Sequence, residues 1–98
     1  MPHEFQPCTY ITASRQNGTL YIGVTSNLLA RASHHWNGTV EGFTKQYGVS
    51  RLVWYEFHSS MAEAIQREKR LKKWRRSWKI ALIEAENPGW DDLFPRIV

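Results

Sequence analysis

The sequence predicts a small α+β domain, in which a three-stranded antiparallel sheet is flanked by helices in the order β-β-α-β-α-α. Three observations predict it. Two segments rich in β-forming residues flank an Asn-Gly turn signal, a third such segment begins after residue 50, and amphipathic patterns follow the second and third strands. The chain has 98 residues, of which 42% are hydrophobic and 22% charged. This length supports one hydrophobic core, so we expect residues 1–98 to form a single domain.

The first two strands are predicted over residues 8–14 and 19–25, where β-branched and aromatic residues are frequent. Between them, Asn17-Gly18 favours the positive φ angles of a tight hairpin turn. Side chains alternate along a strand, so Tyr21 and Gly23 are predicted to share one face of the second strand.

The first helix is predicted to begin at Leu28, because Ser26-Asn27 can cap it, and to run to about Trp36. Asn37-Gly38 supplies its stop signal. Arg31 and His35 are four residues apart and therefore share one face of this helix.

The third strand is predicted over residues 51–58. Ser60 and Glu63 then form a capping box, which predicts a long helix from about residue 60 to residue 74. A further helix is predicted over residues 77–85, after a bend.

Cysteine content and hydropathy exclude several classes of protein. Cys8 is the single cysteine, so an internal disulfide is excluded, and the histidines lack the spacing of a structural zinc site. The first residues resemble no secretory signal, and no apolar run approaches the roughly 18 residues of a transmembrane helix. We therefore expect a cytoplasmic protein that neither spans a membrane nor has a disulfide partner.

Glu68 is the first candidate functional residue, because helix geometry places it within the apolar stripe of its helix, which is formed by Met61, Ala64, Ile65 and Leu71. A carboxylate in that position must be paired, protonated or bound to a cation. One interpretation is an i,i+4 ion pair with Lys72, and the other is a metal ligand at the rim of a cleft. The neighbouring Arg67 is predicted to point elsewhere.

Arg31 and His35 form a second candidate pair at the margin of the core, where they are either a solvated edge or a phosphate-binding and proton-transferring pair. Tyr10 and Tyr21, on adjacent hairpin strands, are either a cross-strand aromatic pair or catalytic. A catalytic tyrosine would need a pKa lowered by a cation, for which Arg31 and Lys45 are candidates.

Basic residues are concentrated in residues 67–79, which hold eight Lys and Arg side chains against the single acid Glu68, while the whole chain carries a net charge of +4. Trp74 and Trp78 are interleaved with them. The segment could be a solvated face, a membrane-surface helix or a footprint for a phosphate backbone. The last is favoured, because the small core needs the tryptophans.

Together these residues resemble the GIY-YIG nuclease superfamily. Tyr21-Ile22-Gly23 match the second half of its name, and Cys8-Thr9-Tyr10 keep only the final Tyr of the first half. The family's helix-borne Arg, the His four residues later in many members and the metal-binding Glu correspond to Arg31, His35 and Glu68. More narrowly, the chain resembles the single-domain YhbQ-like (UPF0213) proteins from end to end.

The resemblance implies metal-dependent hydrolysis of phosphodiester bonds in DNA. Glu68 would hold one divalent cation, Mg²⁺ or Mn²⁺, and Arg31 would neutralise charge on the phosphoryl group. Tyr21 or Tyr10 would position or deprotonate the attacking water with help from His35, and the sequence leaves open which tyrosine is the base.

The expected substrate is DNA, including branched or nicked DNA of the kind met in repair, cleaved with structural selectivity or weak sequence specificity. Gly23, lacking a side chain, would let the DNA backbone or the following helix approach closely. Basic side chains would bind the flanking phosphates. Those predicted to do so are Lys45, Lys69, Lys72, Lys73, Arg75 and Arg76.

The chain departs from the family pattern in one position that matters for chemistry. Several members carry an Asn about three helical turns after the metal-binding Glu, whereas residues 78–81 contain none and Asn87 lies too far along. The alternative function is therefore a DNA-binding module with weak or no catalysis. A third is a protein-interaction domain that uses Trp36, Trp78 or Trp90, which exposure of those rings would support.

Overall fold

Three antiparallel strands form one sheet in the order β2-β1-β3, with β1 in the centre. The strands are β1 (Cys8–Ala13), β2 (Leu20–Thr25) and β3 (Arg51–Phe57). The structure, a computed structural model, describes residues 6–31 and 51–97. The α+β class and all three predicted strands are confirmed, with boundaries that differ by one residue at most.

The β1–β2 hairpin closes through the predicted Asn-Gly turn. Asn17 has a φ of 58°, in the left-handed region that Asn tolerates better than most residues. Ser14 N donates to Thr19 O over 3.0 Å, which closes the hairpin. The guanidinium of Arg76 donates to the carbonyls of Asn17 and Gly18, so this turn is also bound to the second half of the chain.

The alternation of side chains along β1 creates two faces of the sheet. Cys8 and Tyr10 point to one side, which we call the tyrosine face, where they pack with Leu28. Ile11 and Ala13 point to the other side, which we call the helix face.

The helix face is covered by two helices, α1 (Met61–Lys73) and α2 (Arg76–Glu86). Leu71 of α1 and Ile83 of α2 are fully buried in the core on this face. Thr9, on β1, donates its hydroxyl to Ala64 O over 2.9 Å and so fixes α1 to the central strand.

The capping box predicted for α1 is present in a modified form. Ser60 Oγ accepts from Glu63 N over 3.2 Å, as predicted. The Glu63 carboxylate reaches back to Ser59, accepting from its hydroxyl at 3.0 Å. The predicted bend is also confirmed, because Trp74 and Arg75 adopt extended backbone angles between the two helices.

Asn87 ends α2 and connects it to β3 and to the C-terminal segment. Its side chain is buried, and its Nδ2 donates to Val53 O at 3.1 Å and to Asp91 O at 2.9 Å. Its Oδ1 accepts from Asp91 N at 3.1 Å. Both ends of the amide are therefore used within the fold, which gives Asn87 a structural role.

The C-terminal segment docks on the core. Trp90 is fully buried and donates its Nε1 proton to Glu84 Oε2 over 2.7 Å. Leu93 N donates to Leu52 O over 2.7 Å, and a short helix, α3 (Phe94–Ile97), follows. Within residues 6–31 and 51–97, no helix is both long enough and apolar enough to cross a bilayer.

The first predicted helix is described only at its beginning. Residues 28–31 are helical, and Asn27 Oδ1 accepts from Ala30 N over 3.1 Å, which confirms the predicted cap. The remainder of that helix and its predicted stop at Asn37-Gly38 lie outside the described residues.

Candidate functional site

Arg31 and Tyr10 are in direct contact on the tyrosine face. Arg31 Nε donates to Tyr10 Oη over 3.0 Å. Tyr10 lies on the central strand and is 1% exposed, while Arg31 follows the Asn27 cap by one helical turn. The local sequence thus sets this contact, because the cap fixes where the helix begins and therefore where Arg31 projects.

Tyr21 joins this pair through the register of the hairpin. Tyr10 lies opposite Gly23 and Thr12 lies opposite Tyr21, so the two tyrosines are diagonal neighbours on one face. Their ring centroids are 6.4 Å apart at an interplanar angle of 46°. The hydrogen bonds that Arg31 donates to Tyr10 and, with a smaller effect, to Tyr21 raise the pKa of its guanidinium.

Burial controls the protonation of Tyr10. Desolvation raises the pKa of the Tyr10 phenol, and the opposing influence of Arg31 does not reverse this. The hypothesis that a neighbouring cation lowers the pKa of a catalytic tyrosine is therefore wrong for Tyr10. Tyr21 is only partly buried, so water reaches it more readily than Tyr10.

The space above Gly23 is occupied by the ring of Tyr10. A Cβ at this position would lie 2.6 Å from Tyr10 Oη and 2.7 Å from Tyr10 Cζ. The expectation that Gly23 lets the DNA backbone or the following helix approach is therefore wrong. The absent side chain instead allows the buried phenol to cross the edge strand and reach Arg31.

Glu68 forms the ion pair with Lys72 that helix geometry allows, with Oε2 and Nζ 3.1 Å apart. The Glu68 side chain is 17% exposed and that of Lys72 is 54% exposed. Among the described residues, no group of three or more His, Cys, Asp or Glu side chains could hold a metal ion. Mg²⁺ often binds through one carboxylate, several waters and a substrate phosphate, so Glu68 alone still fits such an ion if Lys72 is displaced.

The structure brings together three of the predicted site residues, Tyr10, Tyr21 and Arg31. Glu68 lies on α1, which packs on the helix face against β1 and the edge strand β2. The predicted site residues His35 and Lys45 lie outside the described residues.

The apolar stripe predicted for α1 is wrong at Met61 and Ile65, which are 36% and 37% exposed. Arg67, predicted to point away from that stripe, faces the sheet. Its Nε donates to Glu56 Oε1 over 3.0 Å, on the helix face of β3. Its guanidinium carbon lies 5.8 Å from the ring centroid of Trp54 and 5.4 Å from that of Trp74. The available signal was its spacing of three residues from the buried Ala64, which places it at the edge of the helix–sheet interface.

The basic residues predicted to bind phosphates differ in whether they already interact with other side chains or carbonyls of the protein. Lys72 is paired with Glu68, and Arg76 is bound to the hairpin turn. Arg75 lies over the ring of Trp78, 5.6 Å from its centroid. Lys69 and Lys73 are exposed and form no ion pair within residues 6–31 and 51–97.

The tryptophans proposed for a partner surface behave differently from one another. Trp78 is 51% exposed, which supports a binding role and shows that the prediction that the core needs this ring is wrong. Trp90 is fully buried, which counts against a binding role. Trp36 lies outside the described residues.

Comparison with known proteins gives the chain its family context. A family profile described as the GIY-YIG catalytic domain matches residues 6–81. A UPF0213 protein of Clostridium perfringens is 38% identical over 69 residues, covering 70% of this chain and 74% of that protein. A UPF0213 protein of Staphylococcus haemolyticus is 37% identical over 75 residues, covering 76% and 90%.

A solved structure is similar over nearly the whole chain. The solution NMR structure of a UPF0213 protein from Bacillus halodurans is 25% identical and superposes with a TM-score of 0.55. The match covers 89% of this chain and 92% of that one. The sequence comparisons and the fold comparison therefore point to the same group, the UPF0213 proteins.

Proposed function

The chain belongs to the GIY-YIG family of nucleases, and from this premise we propose that residues 1–98 act as a single domain that hydrolyses phosphodiester bonds in DNA. The proposed cleavage uses a divalent cation and is selective for structure, such as branches or nicks, or weakly specific for sequence. The observation that carries this proposal is the contact of Tyr10 and Tyr21 with one charged guanidinium, that of Arg31.

Arg31 is the group proposed to bind the phosphate. A guanidinium matches phosphate geometry and stays charged at neutral pH, so it can neutralise the negative charge that grows on the phosphoryl oxygens. The hydrogen bond to Tyr10 orients the guanidinium, so Tyr10 is proposed as a positioning residue. A preorganised cation needs little rearrangement at the moment of reaction.

Tyr21 is proposed to position or deprotonate the attacking water. It lies beside the Arg31–Tyr10 pair and is less buried than Tyr10, whose raised pKa disfavours loss of its proton. His35 is proposed to assist, on the basis of the family resemblance.

Glu68 is proposed to hold the divalent cation, Mg²⁺ or Mn²⁺, after Lys72 is displaced from its carboxylate. When bound, such a cation supplies Lewis-acid stabilisation of a phosphate oxygen. Because α1 packs against the edge strand β2, we propose that the substrate phosphate binds at this edge, between the tyrosine face and α1.

The test is cleavage of plasmid and of branched oligonucleotides with Mg²⁺ or Mn²⁺. We expect Arg31→Ala and Glu68→Ala each to lower the cleavage rate by about 10²- to 10³-fold, the usual effect of removing one charge-stabilising group. Arg15→Ala and Glu86→Ala are matched controls, since both residues are exposed and form no ion pair within the described residues. Equal cleavage by all five proteins, wild type included, would remove the assigned site.

A second candidate function is a DNA-binding module with weak or no catalysis. Two observations favour it: Glu68 is held by Lys72, and Asn87 is fully used within the fold. This candidate predicts DNA binding whose logarithm falls linearly with the logarithm of salt concentration, without any metal-dependent product.

A further inference from the structure

Trp78, on α2, is a large aromatic side chain that the fold leaves exposed to solvent. It is 51% exposed, whereas Trp54 and Trp90 are 1% and 0% exposed. An indole ring placed half in water contributes little to the core, and exposed aromatic rings of this kind commonly mark binding surfaces.

The exposed ring of Trp78 is held in a defined position. Trp74 packs edge to face against it, with centroids 6.0 Å apart and an interplanar angle of 82°. Arg75 lies 5.6 Å from its centroid on the preceding turn. A ring fixed in this way loses little conformational entropy when a ligand stacks on it.

Trp74 is itself connected to the core through Arg67. The Arg67 guanidinium lies between the rings of Trp74 and Trp54, and its Nε is bound to Glu56. Since Trp54 is buried in the helix-face core, an unbroken series of ring and cation contacts runs from the core to Trp78. We call this series, Trp54–Arg67–Trp74–Trp78, the aromatic ladder.

The surroundings of the ladder are strongly positive. Several basic side chains of residues 67–79 form no ion pair with any described residue, and they are Lys69, Arg70, Lys73, Arg75 and Lys79. A fixed aromatic ring in a basic segment matches the chemistry of a nucleotide, which combines an aromatic face with a phosphate anion.

We propose that Trp78 stacks on an unpaired base of single-stranded DNA while the neighbouring basic residues bind its phosphates. This inference deepens the proposed nuclease function, on which its biological meaning rests. Within a duplex a base is paired and its faces are covered by neighbouring bases, so the indole can stack on an unpaired base only at a flap, gap or junction. Trp78 would thereby provide the structural selectivity proposed for the cleavage.

The test measures DNA binding by fluorescence anisotropy in a chelator, so that no cleavage occurs. The probes are a labelled single strand of 12 nucleotides, the same strand with abasic sites in place of its bases, and a blunt duplex. The variants are Trp78→Ala, the aromatic replacement Trp78→Phe, and Ile65→Ala. The last is a matched control, because Ile65 is an exposed apolar residue at 37% exposure on α1.

We expect Trp78→Ala to bind the single strand about tenfold more weakly, the usual effect of losing one base–aromatic stack. Trp78→Phe should stay within about threefold of wild type, and Ile65→Ala and duplex binding should not change. For wild type, the abasic strand should bind about tenfold more weakly than the normal strand, and Trp78→Ala should show no such difference.

Three results would overturn the proposal. Equal weakening on all three probes would mean that Trp78 supports only the charge or fold of the surface. Unchanged binding of Trp78→Ala on every probe would mean that the ring does not contact DNA. Self-association of wild type that Trp78→Ala abolishes would mean that a second copy of the chain covers the ring. The binding assay contains no metal, so failure of wild type to cleave any DNA in a separate assay would remove the proposed nuclease function without affecting this test.

Discussion

The tyrosine face and the outer surface of α1 and α2 carry cations in opposite environments. On the tyrosine face, Arg31 is bound to Tyr10, which is 1% exposed, beside the fully buried Cys8. On the outer surface, Lys72 is 54% exposed and Trp78 is 51% exposed. The partly buried cation Arg31 is therefore fixed against buried side chains, whereas the cations of the outer surface lie in water.

This difference separates two tasks that a nuclease must perform. Charge stabilisation benefits from a cation held in a fixed position, and Tyr10 holds Arg31 in this way. Capture of DNA benefits from exposed cations, whose attraction to the phosphate backbone grows with the number of phosphates contacted and is screened by salt. We therefore expect substitutions on the tyrosine face to change stability strongly, and those on the outer surface to change mainly binding.

The largest expected effect is the pH dependence contributed by Cys8 on the tyrosine face. Burial raises the pKa of its thiol from 9.0 to about 12. The folded state keeps the proton while the unfolded chain loses it, so this contribution to the free energy of unfolding is full below pH 9 and is lost as the pH rises towards 12. The total is of the order of 4 kcal/mol.

Chemical denaturation at pH 8 and pH 10.5 measures this contribution. Between these two pH values, the free energy of unfolding should fall by about 2 kcal/mol more for wild type than for Cys8→Ala. Because each protein is compared with itself at two pH values, a loss of stability that does not depend on pH leaves this difference unchanged. If the free energy of unfolding fell equally with pH for the two proteins, the thiol of Cys8 would not remain protonated in the folded state.

Gly23→Ala should produce the next largest effect, because the new Cβ would lie 2.6 Å from Tyr10 Oη and the phenol ring is buried. We expect a loss of about 1–3 kcal/mol in the free energy of unfolding, as is usual for an overpacked core. In a Tyr10→Leu background the same substitution should cost much less, and a double-mutant cycle measures the difference. Additive losses would mean that the ring does not fill this space.

Arg67→Met should have an intermediate effect, because it interrupts the aromatic ladder beneath the outer surface. We expect a loss of about 1 kcal/mol, since the Arg67–Glu56 pair is partly exposed and screened. Binding of single-stranded DNA should also weaken, because Trp74 and Trp78 lose their support. Lys69→Met, which removes an exposed charge on the same helix, is the control for charge, and an equal loss of stability there would contradict the ladder.

Lys72→Met should have the smallest effect on stability, below about 0.5 kcal/mol, because the Lys72 side chain is 54% exposed and solvent screens its attraction to Glu68. If Glu68 holds the cation, removal of its partner should lower the Mg²⁺ concentration needed for half-maximal cleavage. Lys73→Met is a matched control that leaves the Glu68–Lys72 pair intact. An unchanged Mg²⁺ requirement for Lys72→Met would argue against competition between lysine and metal.

Local patterns predicted the elements of the fold well. The Asn17-Gly18 turn, the cap at Asn27 and the capping box at Ser60 each depend on residues close in sequence, so their positions could be predicted. Helix periodicity also identified the Glu68–Lys72 pair. Periodicity failed at Arg67, because its partners Glu56 and Trp54 lie on a strand more than ten residues away.

The sequence predicted which residues form the site better than it predicted their burial and protonation. Sequence alone selected Tyr10, Tyr21 and Arg31, and the structure brings these three together. It could not show that Tyr10 is buried, and burial decides the direction of its pKa shift. Nor could it show that the space above Gly23 belongs to Tyr10, since that follows from the register between β1 and β2.

The sequence by itself determined the α+β class, the family and the concentration of basic residues in one segment, because these depend on composition, spacing and local hydrogen bonding. Only the tertiary structure decided which cations remain available. It commits Arg31 to Tyr10 and Arg76 to the hairpin turn, and it leaves Trp78 open at the end of the ladder. The physical reason is that desolvation and packing depend on residues distant in sequence, which strand register and helix docking bring into contact.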